Sequence, residues 1–297
     1  MRNTPALSRL VAPMIAVGIL VAGCGQAPST RTADVGAAAS GGLSGETAPP
    51  AAGAPGEPMA AGANANRQLA QATPGGMPAG SVYRNPGSGR YEVVVEDIAR
   101  TAVLIGDSQS EPGFSWPRTA LASLGYKVHF CGRGGTGFVA SNGTTGNYID
   151  ALERGDWLLP HGSPPLVVIQ GGGNDASRGA TDEQISANAE RLIASVRQRY
   201  PAARLAMVGT LARGAADGGG RRTEVDALLG TVAARHSIPF VGAGDWLTRH
   251  NLTKLMADGV HMAPEGHAAL GVLLAKRLDD FGFRVPEPGQ AEPAANR

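Results

Sequence analysis

Apolar residues in the middle of the chain come in short unbroken runs that alternate with helically spaced ones. Residues 101–105 form one run, ending at Gly106; 126–130, 166–170, 205–208 and 239–241 form four more. The run at 166–170 carries no charge, as a strand covered on both faces requires. Residues 117–124 read as a helix. Thr181-Asp182-Glu183-Gln184 is a capping box opening a helix through Arg199, with Ile185, Ala189, Leu192 and Val196 at helical spacing and Pro201 as its stop. Residues 221–236 carry a further helical pattern, Pro264 stands at a helix start, and 268–278 carry the last. This alternation predicts an α/β fold, a three-layer α/β/α sandwich on a five-stranded parallel sheet.

Outside that body the pattern changes. Arg2 and Arg9 precede an uncharged apolar run over 11–22, a positive n-region followed by an h-region of signal-peptide length. Val21-Ala22-Gly23-Cys24 resembles the lipobox of bacterial lipoproteins, where the signal is cleaved before Cys and the sulfur takes up lipid. The competing readings are a plain secretory signal and an apolar N-terminus with a chance Cys. Residues 25–80 then hold 16 Ala, 11 Gly and 7 Pro among 56 positions and no aromatic residue. So few apolar side chains do not offset the entropy of ordering. The expected organisation is a signal over 1–23, a lipid-anchored, disordered Ala/Gly/Pro linker over 24–90, a folded domain over 91–283 and a loose tail over 284–297. That places the domain outside the cytoplasm on the bacterial cell membrane, or secreted if Cys24 is not lipidated.

Composition narrows the function classes. A formal net charge of +1 supplies no field for nucleic acid, and none is expected as a partner. Two cysteines build no disulfide scaffold, and no Cys/His ladder for structural zinc is present. No apolar run reaches the roughly eighteen residues of a spanning helix.

In parallel sheets the chemistry gathers where strands give way to loops at their carboxyl ends. Those loops hold Gly106-Asp107-Ser108, Gly132-Arg133-Gly134-Gly135-Thr136-Gly137 and Gly171-Gly172-Gly173-Asn174-Asp175, with Asp258-Gly259-Val260-His261 before the last helix. This set suits acyl transfer. A serine hydroxyl is a poor nucleophile until an imidazole takes its proton; Ser108 is the candidate nucleophile and His261 the candidate base. Asp258 is placed to hold the imidazole tautomer, with Asp245 the next acid to consider. The Ser108 N–H, Gly135 N–H and Asn174 amide are the candidate oxyanion donors.

Taken in order, these four blocks resemble the SGNH (GDSL-type) hydrolase family, over about residues 101–278. Block one is Gly106-Asp107-Ser108, block two falls at Gly135 with Gly134 as the alternative, block three is Gly172-Gly173-Asn174-Asp175 and block five is Asp258-Gly259-Val260-His261. The resemblance implies a flavodoxin-like sheet and a serine ester hydrolase that needs no metal or cofactor; the expected location outside the cytoplasm puts small-molecule, lipid and glycan esters within its reach. Two positions depart from it: Gln109 stands where the family has Leu, and Met262 where many members have Pro. An O-acyltransferase passing the acyl group to a sugar hydroxyl, or a non-catalytic binding module on the same scaffold, are the alternatives.

Other features have plainer readings. Residues 132–137 fit G-x-G-x-x-G, but the turn formers at 141–146 leave no helix for a dinucleotide phosphate. Asp107 and Asp175 read as loop scaffolds, and Cys131 as a buried structural thiol. His267 reads as solvated or packed, and His129, His161, His236 and His250 have no motif around them. Phe138, Tyr148, Ile149, Leu152, Trp157 and Leu158, with Phe114 and Trp116, offer either a lid over an acyl group or packing against the sheet.

Overall fold

The turn formers Asn85-Pro86-Gly87-Ser88-Gly89 join two short strands, β1 (Val82–Arg84) and β2 (Tyr91–Val93), in an antiparallel hairpin with Tyr83 opposite Glu92. The computed structural model describes residues 76–286, all within the unit Met59–Arg297. The signal segment, Cys24, most of the expected linker and the end of the tail lie outside the described residues. The hairpin corrects the domain boundary expected at Tyr91: ordered chain reaches back through β1. Its strands have three residues each, too few for alternation to show, and its anchor is non-local. Glu92 is buried, where it pairs with Arg199 at 2.7 Å and His161 Nδ1 at 2.8 Å and accepts from Asn85 Nδ2 at 2.8 Å.

The main sheet is parallel, five-stranded and ordered β4-β3-β5-β6-β7. Its strands are β3 (Thr101–Gly106), β4 (Lys127–Gly132), β5 (Leu166–Gln170), β6 (Arg204–Val208) and β7 (Phe240–Val241). Ala102 aligns with Val128 on one side and Leu166 on the other, so β3 is an interior strand, buried along its whole length. This is the expected doubly wound architecture, with the strand order reversing beside β3.

Successive strand residues point to opposite faces. Val103, Ile105, Val167 and Ile169 enter one core with helices α2 (Tyr148–Arg154), α4 (Asp182–Arg199) and α5 (Gly220–Arg235). Ala102, Leu104, Leu166 and Val168 enter the other with α1 (Trp116–Ser123) and α7 (Pro264–Asp280). The expected capping box forms: Thr181 Oγ1 accepts from Gln184 N–H, and Gln184 Oε1 accepts from Thr181 N–H. Two further short helices, α3 (Gly173–Ser177) and α6 (Trp246–Arg249), follow strand ends. Among the described residues no helix is long and apolar enough to cross a membrane.

Candidate active site

Ser108 stands in the turn that closes β3. The Asp107 carbonyl accepts the Ser110 and Glu111 N–H groups at 2.9 and 3.0 Å, and Asp107 Oδ1 accepts the Gln109 N–H at 2.8 Å. Both polar ends of Asp107 are thus spent on shaping the turn, the scaffold role expected of it. The carboxyl is buried, and desolvation raises its pKa to about 6 despite the Gln109 N–H bond.

His261 arrives from a tight loop before α7. Asp258 Oδ1 accepts the N–H groups of Val260 and His261, each at 2.6 Å, an arrangement that folds the loop around the carboxylate. Its other oxygen lies 3.0 Å from His261 Nδ1, and His261 Nε2 lies 2.9 Å from Ser108 Oγ. The hydrogen bond from His261, with the two backbone donors, holds the Asp258 carboxyl well below the usual carboxylate range. An ionised carboxylate only accepts, so the ring proton belongs on Nδ1 and the Nε2 lone pair faces the serine hydroxyl. Asp245 takes no part: it precedes α6 and pairs with Arg249 at 3.5 Å.

The loop after β4 brings the second block alongside. A Cβ on Gly134 would stand 3.4 Å from Ser108 Cβ, so this backbone passes close to the nucleophile. The Gly134 N–H donates to Glu111 Oε2 at 2.7 Å. Among the described residues the Gly135 N–H and Ser108 N–H donate to no protein acceptor. Gly135 has φ +78°, a conformation that glycine adopts without strain. Of the two candidate glycines, Gly135 is therefore the one with an amide to spare. Asn174, on α3, donates one Nδ2 hydrogen to the Thr136 carbonyl at 2.9 Å and keeps the other. Asp175 fastens the same loop from below: its buried carboxylate accepts the N–H groups of Phe138, Val139 and Ala140 at 3.0, 2.7 and 2.8 Å. A Cβ on Gly137 would meet that carboxylate at 2.5 Å, which explains a glycine there. No helix follows this loop until α2 at Tyr148, so it opens no phosphate-binding helix; the N–H groups just after it, at 138–140, are committed to Asp175.

The remaining candidates lie elsewhere. His129 Nε2 faces the Leu158 carbonyl, and buried His267 accepts the Trp116 N–H on Nδ1 at 3.3 Å. Burial pushes the Cys131 thiol far above its ordinary value. Phe138, Tyr148, Ile149 and Leu152 are core residues, and Trp157 packs against the same core beside a cavity of about 240 Å³ that shares no lining residue with the Ser108 cleft. The lid reading of this segment therefore gives way to packing; only Phe114, edge-on to His267, stays exposed.

Three residues that sequence reasoning passed over belong to the site. Gln109 Nε2 donates to the Val260 carbonyl at 2.8 Å, and Glu111 binds both Gly134 and, at 3.3 Å, Arg133. Arg222 lines the cleft with Ser108 and Asn174. The polar residue in place of Leu at 109 and the acid three positions after Ser108 were visible signals; Arg222 has none, because α5 brings it in from a distant segment.

The GDSL-like lipase/acylhydrolase family matches residues 104–269, over half of the chain. No curated protein matches it in sequence. Solved structures similar to it include a family two carbohydrate esterase mutant from Clostridium thermocellum, at 18% identity and TM-score 0.47 over 66% of this chain and 68% of that one. An acetyl xylan esterase from Butyrivibrio proteoclasticus has 12% identity and TM-score 0.47, over 66% and 68%. A lipolytic protein G-D-S-L family member from Veillonella parvula has 18% identity and TM-score 0.47, over 62% and 99%. With four ordered motifs, three at the carboxyl ends of β3, β4 and β5 and one in the loop before α7, and a family match that spans them, the chain belongs to the GDSL-like lipase/acylhydrolase family and is an esterase-type hydrolase.

Proposed function

We propose that the chain is an exported serine ester hydrolase working through an acyl-enzyme on Ser108. The observation that carries this is the Ser108 Oγ to His261 Nε2 to Nδ1 to Asp258 Oδ2 relay, at 2.9 and 3.0 Å. Ser108 Oγ attacks the ester carbonyl carbon as His261 Nε2 takes the hydroxyl proton. The carbonyl π pair moves onto oxygen, which the Ser108 N–H, Gly135 N–H and Asn174 Nδ2 receive. Collapse breaks the bond to the alcohol, which leaves with the proton from His261. Water then attacks the acyl-serine in the same sense, releasing the acid and restoring Ser108. Asp258 keeps the imidazole oriented and balances its transient charge.

His261 and Asp258 side chains are 43% and 57% exposed, so water has an open approach to the base; that favours hydrolysis over transfer to a sugar hydroxyl. The signal-like N-terminus and Cys24 support export and a lipid anchor, whose hold comes from acyl chains. A fluorophosphonate probe tests the core of the reading. Labelling of the wild type but not of Ser108→Ala, with turnover across a panel of short, long and sugar-linked esters, is the expected result; labelling that survives Ser108→Ala refutes it. Product analysis with a sugar acceptor separates transfer from hydrolysis. Loss of detergent-phase partitioning in Cys24→Ala tests the anchor.

A further inference from the structure

Arg222 is a cation beside the nucleophile that the acyl-transfer steps do not use. It lies in the first turn of α5, half-buried, with its guanidinium over the start of α3: a Cβ on Gly173 would stand 2.9 Å from Nη1. A guanidinium offers five donors and keeps its charge at any working pH. Its neighbour Arg221 pairs with Asp182 at 2.6 Å and with Glu224 at 3.3 Å. Among the described residues Arg222 has no ion pair and one side-chain hydrogen bond, to Ser177 Oγ at 3.4 Å. The field of Asp107 reaches it, but Asp107 Oδ1 is already bound to the Gln109 N–H.

The surroundings are arranged in the same sense. A second cavity, of about 210 Å³, shares Leu211, Arg222 and Val260 with the Ser108 cleft, so the two form one groove. No carboxylate lines this second part, and Arg213, exposed on its wall, makes no ion pair among the described residues. Gly218 and Gly219 line it just ahead of α5, which puts the positive end of that helix at the wall. An unpaired, half-buried guanidinium, a second arginine and a helix N-terminus meet in a groove that begins at the nucleophile.

We propose that this groove is an anion subsite, in which Arg222 with Arg213 holds a carboxylate or phosphate carried by the ester, so that the preferred substrates are anionic esters. This rests on the hydrolase reading above and adds the substrate's charge to it. The anion can sit on the acyl or the alcohol part, and the test separates the two.

With the full-length protein, kcat and KM are measured for monoethyl succinate against ethyl butyrate, and for acetylsalicylate against phenyl acetate. The first pair places the charge on the acyl side and the second on the alcohol side. In one pair the anionic ester is expected to have the lower KM. Arg222→Gln reduces that advantage by about tenfold or more, through KM, while Arg222→Lys retains part of it. Calorimetric binding of the same anionic ester to Ser108→Ala, with and without Arg222→Gln, reads the subsite without turnover. Binding that depends on Arg222 supports the subsite even where no ester is cleaved, an outcome that would refute the hydrolase reading alone. Equal losses on charged and neutral esters, or binding indifferent to Arg222, overturn the subsite and leave the hydrolase reading standing.

Discussion

Gln109 Nε2 donates to the carbonyl of Val260 at 2.8 Å, tying the residue after Ser108 to the residue before His261 across 151 positions of chain. A carbonyl only accepts, so the amide nitrogen must face it. The side chain is buried, and its Oε1 has no protein partner among the described residues. Leucine here would fill the space but leave the Val260 carbonyl unbound, and the base loop would lose its link to the nucleophile turn. Gln109→Leu is expected to lower kcat about tenfold with KM nearly unchanged and only a small loss of thermal stability. A kcat within about twofold of wild type would show that the tie does not position the base.

Asp258 is exposed, so replacing it costs the fold little, but its role at Nδ1 has no substitute among the described residues. Asparagine presents an amide that stabilises the other tautomer, with a ring proton aimed at Ser108 Oγ instead of a lone pair. Asp258→Asn is expected to lower kcat by about 10²- to 10⁴-fold with an unfolding midpoint close to wild type. Asp245→Asn, at the acid paired with Arg249, serves as the control and leaves kcat unchanged. The reverse ranking of the two variants would move the orienting role to Asp245.

Asn174 differs from the triad in kind, because its spare Nδ2 hydrogen serves only charge that develops during the reaction. Asn174→Ala removes one of three proposed donors and is expected to lower kcat by about 10²- to 10³-fold at similar KM. Its bond to the Thr136 carbonyl also goes, so crystals of the variant should show the Gly135 segment in place if the loss is electrostatic. A fall confined to KM would contradict an oxyanion role.

The burial of Asp175 under its loop leads to a stability prediction. Removing the carboxylate strands the Phe138, Val139 and Ala140 donors, which bond to no other side chain among the described residues. Asp175→Ala is expected to cost about 3 kcal/mol or more in chemical unfolding, and to lower kcat because the Gly135 segment hangs from the same loop. An unchanged unfolding midpoint would mean that the loop is held by its apolar contacts alone.

What the sequence disclosed, and what it hid, divides by distance along the chain. The β5 run, the capping box at Thr181 and the proline at the start of α7 are local signals, and each element lies where its pattern puts it. The Ser108 and Asn174 blocks were legible because each is a short motif at a strand end, and the His261 block because Asp258 and His261 stand three apart just before the last helix. Helix α2 was missed: its start depends on one cap, Asn147 accepting the Asp150 N–H, inside a run of turn formers. The buried Glu92 to Arg199 pair, the Gln109 latch and the approach of Arg222 join segments far apart in sequence, and no periodicity marks them. The aromatic residues between β4 and β5 were ambiguous for the same reason, since a packed side chain and a lid side chain look alike until the core is built.

Asp107 makes stability fall as the solution becomes less acidic, in one defined window. Burial raises its folded-state pKa to about 6, whereas the unfolded chain releases the proton near the ordinary aspartate value of about 4. Between those values the folded chain holds a proton that the unfolded chain has lost, so the unfolding free energy declines as pH rises. The penalty is absent below the unfolded value, grows through the window and is complete above about 6, on the order of 2–3 kcal/mol. Asparagine keeps an oxygen for the Gln109 N–H and carries no charge to desolvate. Asp226 is raised to about 6 as well, so the wild-type curve alone mixes two groups and the informative quantity is the difference between wild type and Asp107→Asn. Urea unfolding from pH 4 to 7 is expected to show the variant gaining on the wild type as pH rises, with parallel behaviour below 4. A difference that stays flat across the window would mean that Asp107 is ionised at no cost in the folded chain, and that its burial is compensated by the turn it builds around Ser108.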